Sequence, residues 1–258
     1  MKENRQKHIA YLLKKNGVVN INDLIKEFDV SVQSIRRDFN QLEQEGILIK
    51  TYGGAVLANA HLHTELGAWQ TREETCRFEK QLLAQYVATL IPDNSLVAID
   101  SGTTLYECTK CFSQKKGLTI ITNDIPIAQE VNRHTHNQVF FLGGMLNATG
   151  SSNGYLAKEI LSNFASIDIC VMSAECLTIE DGFTTVSSEM NELKKLFMSR
   201  SLKKIAVLDH TKFGKRALFR TGHCAEVDML VTDSLAPMEV VEQIEQLGVQ
   251  VIVVPVDE

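Results

Sequence analysis

No apolar run among the 258 residues approaches the ~18 that a membrane-crossing helix needs. The opening stretch MKENRQKHIA is polar and lacks the apolar centre of a secretory signal. Both absences point to a cytoplasmic protein. Cysteine is too scarce for a stapled fold: six in a chain of this length fit buried thiols better than a disulfide framework. Cys108 and Cys111 form one C-x-x-C pair with no second pair to match it, so they read as packed thiols. His61, His63, His134 and His136 lie in polar stretches and read as solvated, and no metal is expected. The turn at 101–104 lacks the lysine of a nucleotide P-loop and the glycine spacing of a dinucleotide fingerprint, so no nucleotide cofactor is expected either.

The chain is 44% hydrophobic and 22% charged, enough for one large domain or for a small one joined to a medium one. Its net charge of −6 argues at first against a nucleic-acid partner. The charge is unevenly spread, however. Residues 1–57 carry nine Lys+Arg and seven Asp+Glu, and the remainder carries 17 and 25. A mildly basic head on an acidic body is compatible with a small DNA-binding module tied to a sensor or an enzyme.

In the head, Ile9, Leu12 and Leu13 stand at helical spacing before Gly17, and Leu24, Ile25 and Phe28 give a second short apolar face. After the turn at 29–31, Ser31 is placed to cap a third helix, VQSIRRDFNQLEQE, which Gly46 ends. Its Ile35, Phe39 and Leu42 face inward, while Gln33, Arg36, Arg37 and Asn40 face elsewhere. Two helices across a tight turn, the second showing arginines and amides near its start, describe a helix-turn-helix. Arginine pairs with guanine edges, glutamine or asparagine with adenine, and other groups hold phosphates. ILIKTYGGAVL alternates about Gly53-Gly54 and reads as a two-stranded wing. The expected DNA-binding set is Ser31, Gln33, Ser34, Arg36, Arg37, Asn40, Lys50 and Tyr52.

Residues 58–76 have little periodicity and read as a linker. From 77 onward the apolar strands LVAID, LTIIT, VFFL, DICVMS, KIAVLD, DMLVT and VQVIVVP alternate with amphipathic helical stretches. Continuous apolar strands between helices imply a mostly parallel sheet covered on both faces, with ligands at the strands' carboxyl ends. The residues at those ends are Asp100, Ser101, Gly102, Thr103 and Thr104, then Thr122 and Asn123, Gly143 and Gly144, Asp209 and Lys212, and Thr232-Asp233. Gly102 permits a sharp turn, Ser101 or Thr103 can cap the following helix, and a helix start holds an anion. Lys212 offers a point charge for phosphate, and Asn123 and Asp209 offer hydrogen bonds for sugar hydroxyls.

The stretch VSVQSIRRDFNQLEQEGILIKTYGGAVL resembles the signature of the DeoR family of bacterial transcription regulators. DSGTT, the TN pair, the GG pair and DHTKFG resemble that family's sensor domain. The resemblance spans nearly the whole chain. It implies a winged helix-turn-helix joined to an α/β sensor similar in fold to ribose-5-phosphate isomerase. It further implies a double-stranded DNA operator, a phosphorylated sugar received by the DSGTT loop and Lys212, and repression relieved by that sugar. Two departures in the head are mild: Ser34 for the family's threonine and Phe39 for a common leucine. In the body, Ser173, Glu175 and Cys176 stand where the family has glycines, so the cleft is expected to be narrowed or reshaped. Recognition helices bind half-sites best in pairs, so a homodimer or tetramer is expected. Two alternatives remain at this point: a sugar-phosphate isomerase or deaminase carrying an accessory DNA-binding head, with Asp100, Asp209 and His210 as available groups, and an architectural DNA binder whose body binds no ligand.

Overall fold

The computed structural model describes residues 2–16, 18–45, 47–51, 54–57, 69, 71–134, 136–147 and 149–256. The chain divides into two compact units, 1–70 and 71–258. Gly17, Gly46, Tyr52, Gly53, His61 and His63, all singled out above, lie outside the described residues.

The first unit is built of α1 (Lys2–Asn16), β1 (Val18–Asn20), α2 (Ile21–Phe28), α3 (Val32–Gln44), β2 (Leu48–Thr51) and β3 (Gly54–Leu57). Ile9, Leu13, Leu24, Ile35, Phe39, Leu42 and Leu48 close a single core, each at most 2% exposed. Each such side chain is worth roughly 1.5–3 kcal/mol of burial. The wing is larger than its alternation suggests. β2 and β3 pair antiparallel, and β1 pairs with the far edge of β3 to make three strands. One inward residue of α3 is charged: Asp38 is fully buried and accepts from Arg5 Nε (2.6 Å) and Gln6 Nε2 (2.9 Å). That carboxylate fastens α1 to the turn-following helix, a tie that apolar periodicity does not reveal.

The second unit runs α4 (Arg77–Leu90), β4 (Leu96–Ile99), α5 (Thr103–Cys111), β5 (Thr119–Thr122), α6 (Ile125–Asn132), β6 (Gln138–Phe141), β7 (Met145–Leu146), β8 (Ser152–Asn153) and α7 (Tyr155–Ser162). It continues with β9 (Ile167–Met172), β10 (Cys176–Thr178), β11 (Gly182–Thr185), α8 (Ser188–Arg200), β12 (Ser201–Val207), β13 (Phe219–Gly222), β14 (Met229–Asp233), α9 (Met238–Gln246) and β15 (Gln250–Val254). All seven expected apolar strands join one sheet in the order β15-β14-β12-β9-β4-β5-β6, and every neighbouring pair is parallel. Alternation along each strand divides its side chains between two cores. Val97, Ile99, Ile120 and Val171 pack under α4 and α5, whereas Ala98, Ile121, Cys170 and Met172 pack with α7 and α8. Burial of both faces is why these strands read as unbroken apolar runs.

The strand order reverses between β4 and β9. The chain winds outward through β5 and β6, then crosses back to continue on the other side of β4. This is the topological switch point, where a crevice opens at the carboxyl ends. Two small elements escaped the sequence reading because they are short and polar: the β7–β8 hairpin and the antiparallel sheet β10-β11-β13. The six cysteines are all free, with Cys108, Cys170 and Cys224 buried.

Gly54 marks a tight approach in the first unit: a Cβ there would lie 2.2 Å from the Val19 carbonyl oxygen. Gly54→Ala is expected to push β1 off β3 and destabilise the unit by about 1–3 kcal/mol. Gly143→Ala, with nothing within 4 Å of the added Cβ, serves as the near-neutral control. Urea denaturation of the two variants checks this, and equal midpoints would contradict the packing described.

Candidate functional site

The turn before α3 uses Asp29 in the left-handed region (φ 48°). Ser31 then caps α3, accepting from Ser34 N at 3.3 Å, with its hydroxyl 3.1 Å from that of Ser34. Gln33, Arg36 and Arg37 are exposed, and among the described residues their side chains make no hydrogen bond or ion pair. Asn40 and Lys50 are exposed but engaged. Lys50 Nζ donates to Asn40 Oδ1 (2.8 Å) and pairs with Glu43 (2.7 Å), linking the wing to α3. Exposed pairs of this kind are weak and open readily to a competing phosphate. Tyr52 lies outside the described residues.

In the second unit the structure gathers residues from five strand ends. Asp100, after β4, is buried against Lys194 of α8, whose ammonium donates to its carboxylate and to Ser173 O (2.9 Å) after β9. Both side chains are only 3% exposed. Burial pulls the Lys194 ammonium down, but the carboxylates of Asp100 and Glu175 more than offset it and hold the lysine charged. Burial pushes the Asp100 carboxyl up, and Lys194 opposes that. Asp100 is therefore an anchor at the switch point and is not free to meet a ligand. Glu175 sits half-buried beside this pair with Oε2 unpartnered, so the departure from glycine adds a negative charge to the cleft.

The DSGTT loop differs from expectation in one respect. Gly102 (φ 136°) occupies the cap position of α5, and no side chain caps the helix. Neither Ser101 nor Thr103 does so, because Thr103 is already the first helical residue and its hydroxyl meets Lys80 Nζ (3.2 Å) and Arg72 O (3.4 Å). Tyr106 N is the first to bond back, to Gly102 O. The N–H groups of Thr103, Thr104 and Leu105 thus have no helical partner, as at any helix start. Lys80 is 2% exposed and also donates to Arg72 O and to Thr75 O (2.7 Å). Burial lowers its pKa, with Asp209 the largest opposing influence and Lys212 acting with burial. Lys80, Asp209 and Lys212 therefore lie within electrostatic reach of one another.

Asp209 caps a short turn, His210–Lys212, through Thr211 N at 3.1 Å, and also accepts from the Thr211 hydroxyl. Its other oxygen is buried and unpartnered. Lys212 is half-buried and pairs with no carboxylate among the described residues. Thr232 is buried at the end of β14 with its hydroxyl unpartnered, and Asp233 accepts from His210. On the other side of β4, Thr122 Oγ1 accepts from Asp124 N, and Asn123 Nδ2 donates to Ser152 O (2.8 Å) and Asn153 Oδ1 (3.2 Å). Both are buried, and Asn123 braces the β7–β8 hairpin, beside which Gly144 (φ 136°) turns the chain. Gly143 and Gly144 belong to this flank and not to the Lys80–Asp209–Lys212 group. A cleft of about 440 Å³ lined by Lys195, Lys204, Arg220 and His223 lies away from the strands' carboxyl ends, and its arginine is already bonded to Asp181.

Sequence reasoning missed Lys80 and Lys194 because both stand in amphipathic helices, where a lysine normally marks the solvated face. It also missed Asp124, which caps α6 through Ile127 N (3.2 Å), accepts from Ser151 Oγ (2.9 Å) and is fully buried.

A helix-turn-helix unit with a wing, carried on the same chain as a parallel α/β unit that gathers charge at its switch point, defines a DNA-binding transcription regulator with a sensor body. The chain belongs to the DeoR family: residues 5–61 match the DeoR-like helix-turn-helix domain, and residues 76–234 match the DeoR C terminal sensor domain. It is 30% identical to the HTH-type transcriptional regulator GolR of Listeria innocua over 250 residues, covering 96% of each chain. It is 28% identical to the glycerol-3-phosphate regulon repressor of Escherichia coli K12 over 247 residues, 95% of this chain and 96% of that one. It is 26% identical to a putative aga operon transcriptional repressor of Escherichia coli O157:H7, with 97% and 93% covered. Among solved structures, ribose 5 phosphate isomerase A from Neisseria gonorrhoeae is 14% identical with a TM-score of 0.40 over 53% of each chain. A transcriptional regulator from Streptococcus pneumoniae TIGR4 is 14% identical with a TM-score of 0.41, over 70% of this chain and 98% of that one. At such scores these two likenesses bear no argument about function.

Lys194→Ala strands the Asp100 carboxylate in the core and is expected to cost about 3–5 kcal/mol. Joint replacement by Lys194→Met and Asp100→Leu should recover most of that loss in chemical denaturation. A single variant as stable as the double would refute the pairing. Asp124 gives a pH test. Burial raises its carboxyl from 3.8 to about 6. The folded state then binds more protons than the unfolded one between those values, so stability falls as pH rises from 4 to 6 and levels off above. The shift corresponds to at most ~3 kcal/mol. Asp124→Asn keeps the cap acceptor without the charge, so it should raise the thermal midpoint at pH 8 and leave it nearly unchanged at pH 4.

Proposed function

We propose that this regulator represses a carbohydrate-metabolism operon and that a phosphorylated sugar bound in the second unit relieves the repression. The observation that carries the reading is the uncapped start of α5 at the switch point, flanked by the cations Lys80 and Lys212 and by the unpartnered Asp209 carboxylate oxygen. A phosphate accepts from free N–H groups and from ammonium ions, whereas a hydroxyl can donate to a carboxylate. One ligand bearing both groups satisfies the set. The names of two relatives agree, since one is the glycerol-3-phosphate regulon repressor and another a putative aga operon transcriptional repressor.

On this reading Gln33, Arg36 and Arg37 read base edges, and Ser31, Ser34, Asn40, Lys50 and Tyr52 position the backbone. The body senses its ligand and does not turn it over. Asp100 is occupied by Lys194, and one oxygen of Asp209 by Thr211, so Asp100 is withdrawn from proton transfer and Asp209 keeps a single oxygen, suited to accept from a ligand hydroxyl. The protein works in the cytoplasm as a homo-oligomer. Exposed Phe140, Met145, Leu146, Tyr155 and Leu156 around the edge strand β6 support self-association through the body. A hundredfold loss of operator affinity on ligand binding needs about 2.7 kcal/mol of coupling between the units.

Gel shifts on the DNA upstream of the gene, with and without a panel of phosphorylated sugars, test this. One sugar should release the complex. Lys212→Ala or Thr103→Ala should blunt that response and the matching thermal shift. Arg36→Ala should weaken DNA binding by about 1–3 kcal/mol and leave the thermal shift intact. Release by no sugar, or full DNA affinity in Arg36→Ala and Arg37→Ala alike, refutes the reading. Turnover of a sugar phosphate that is lost in Asp209→Ala would replace it with an enzyme.

A further inference from the structure

We propose that the second unit holds a divalent transition-metal ion of the zinc class on Cys76, Glu79 and His210. The Cys76 sulfur, a Glu79 carboxylate oxygen and a His210 ring nitrogen all lie within 4.8 Å of one another, and all three residues are half-buried. Tetrahedral zinc with sulfur, nitrogen and oxygen ligands places its donor atoms roughly 3.3–3.8 Å apart. Small side-chain adjustments therefore close the triangle.

Two segments distant in sequence supply the ligands. Cys76 is the cap residue of α4 and Glu79 stands in that helix's first turn. His210 opens the short turn that follows β12. A second observation concerns the histidine's other nitrogen. His210 Nδ1 lies 3.0 Å from Asp233 Oδ1, and Asp233 also accepts from His210 N (2.8 Å) and Leu235 N (3.0 Å). Nδ1 thus carries the hydrogen, the ring is fixed, and the Nε2 lone pair is left for a ligand role. A carboxylate behind a histidine in this way is the usual outer support of a zinc ligand.

The surroundings suit a cation. Asp233 stands behind His210, and Asp209 precedes it in the chain with one buried oxygen unpartnered, so carboxylates beyond the three ligands favour a cation. Cys76 also holds a left-handed backbone conformation (φ 51°) that non-glycine residues seldom adopt. Sulfur with imidazole selects zinc or cobalt over magnesium or calcium. Three protein ligands leave a fourth position for water or an anionic oxygen. An ion here fastens α4, and with it Lys80, to the turn that carries Asp209 and Lys212. The proposal does not depend on the sugar-phosphate reading, since the ion binds whether or not an effector does.

The test uses the full chain stripped of metal by chelator and titrated with Zn²⁺ and, separately, Co²⁺. One equivalent should bind, and the cobalt form should show a thiolate-to-metal charge-transfer band in the near ultraviolet. Cys76→Ser should abolish the band, and His210→Ala should weaken zinc binding at least a hundredfold. Asp233→Asn should weaken it ten- to a hundredfold. Cys176→Ser, at a half-buried thiol outside the cluster, should keep the band. Melting curves of the metal-free variants establish that each is folded, and Glu79→Gln replaces any that is not. Absence of stoichiometric binding overturns the proposal. So does a band that survives Cys76→Ser, because the ion then sits on other thiols.

Discussion

The Lys194–Asp100 ion pair is the interaction on which the sensing unit turns. The parallel sheet reverses its winding between β4 and β9, and such a reversal leaves a gap at the strands' carboxyl ends. Lys194 bridges the reversal, joining Asp100 at the end of β4 to the Ser173 carbonyl after β9. Removing either charge alone leaves the other buried without compensation, which costs far more than the pair contributes. The pair therefore fixes how α8 lies over the switch point. It also occupies the Asp100 carboxylate, whereas Asp209 keeps one oxygen unpartnered and Lys212 pairs with no carboxylate among the described residues.

The first unit uses the same device on a smaller scale. Hydrophobic burial by itself has no direction, whereas hydrogen bonds to a buried carboxylate do. The Asp38 carboxylate, met by Arg5 and Gln6, is satisfied in one arrangement. With α3 held, its Gln33, Arg36 and Arg37 face outward together and uncommitted. A stiff helix presenting free donors suits base-edge recognition, since little side-chain order has to be undone before contact.

Several features were legible from residue order because they depend on local rules. Ser31 as the cap of α3, the inward Ile35, Phe39 and Leu42, the strand pair about Gly53-Gly54 and all seven body strands follow from period, capping and turn chemistry. Family resemblance in the RRDF and DHTKFG stretches pointed the same way. The capping role given to Ser101 or Thr103 failed because Gly102 holds the cap position, and the Thr103 hydroxyl instead meets Lys80 from another helix. Lys80, Lys194 and Asp38 carry no local mark of burial, and each is buried against a partner at least 23 residues away.

The order of residues by itself determined the two-unit plan, the helix that presents arginine and amide groups, and a doubly covered sheet whose strands end in small and polar residues. Each of those follows from the 3.6- and 2-residue periods and from which residues tolerate turns. Tertiary structure alone decided the strand order, and with it the place of the switch point and the lysines and carboxylates that meet there. Pairing of distant charges depends on how the chain crosses over between strands, and no local period records that crossing.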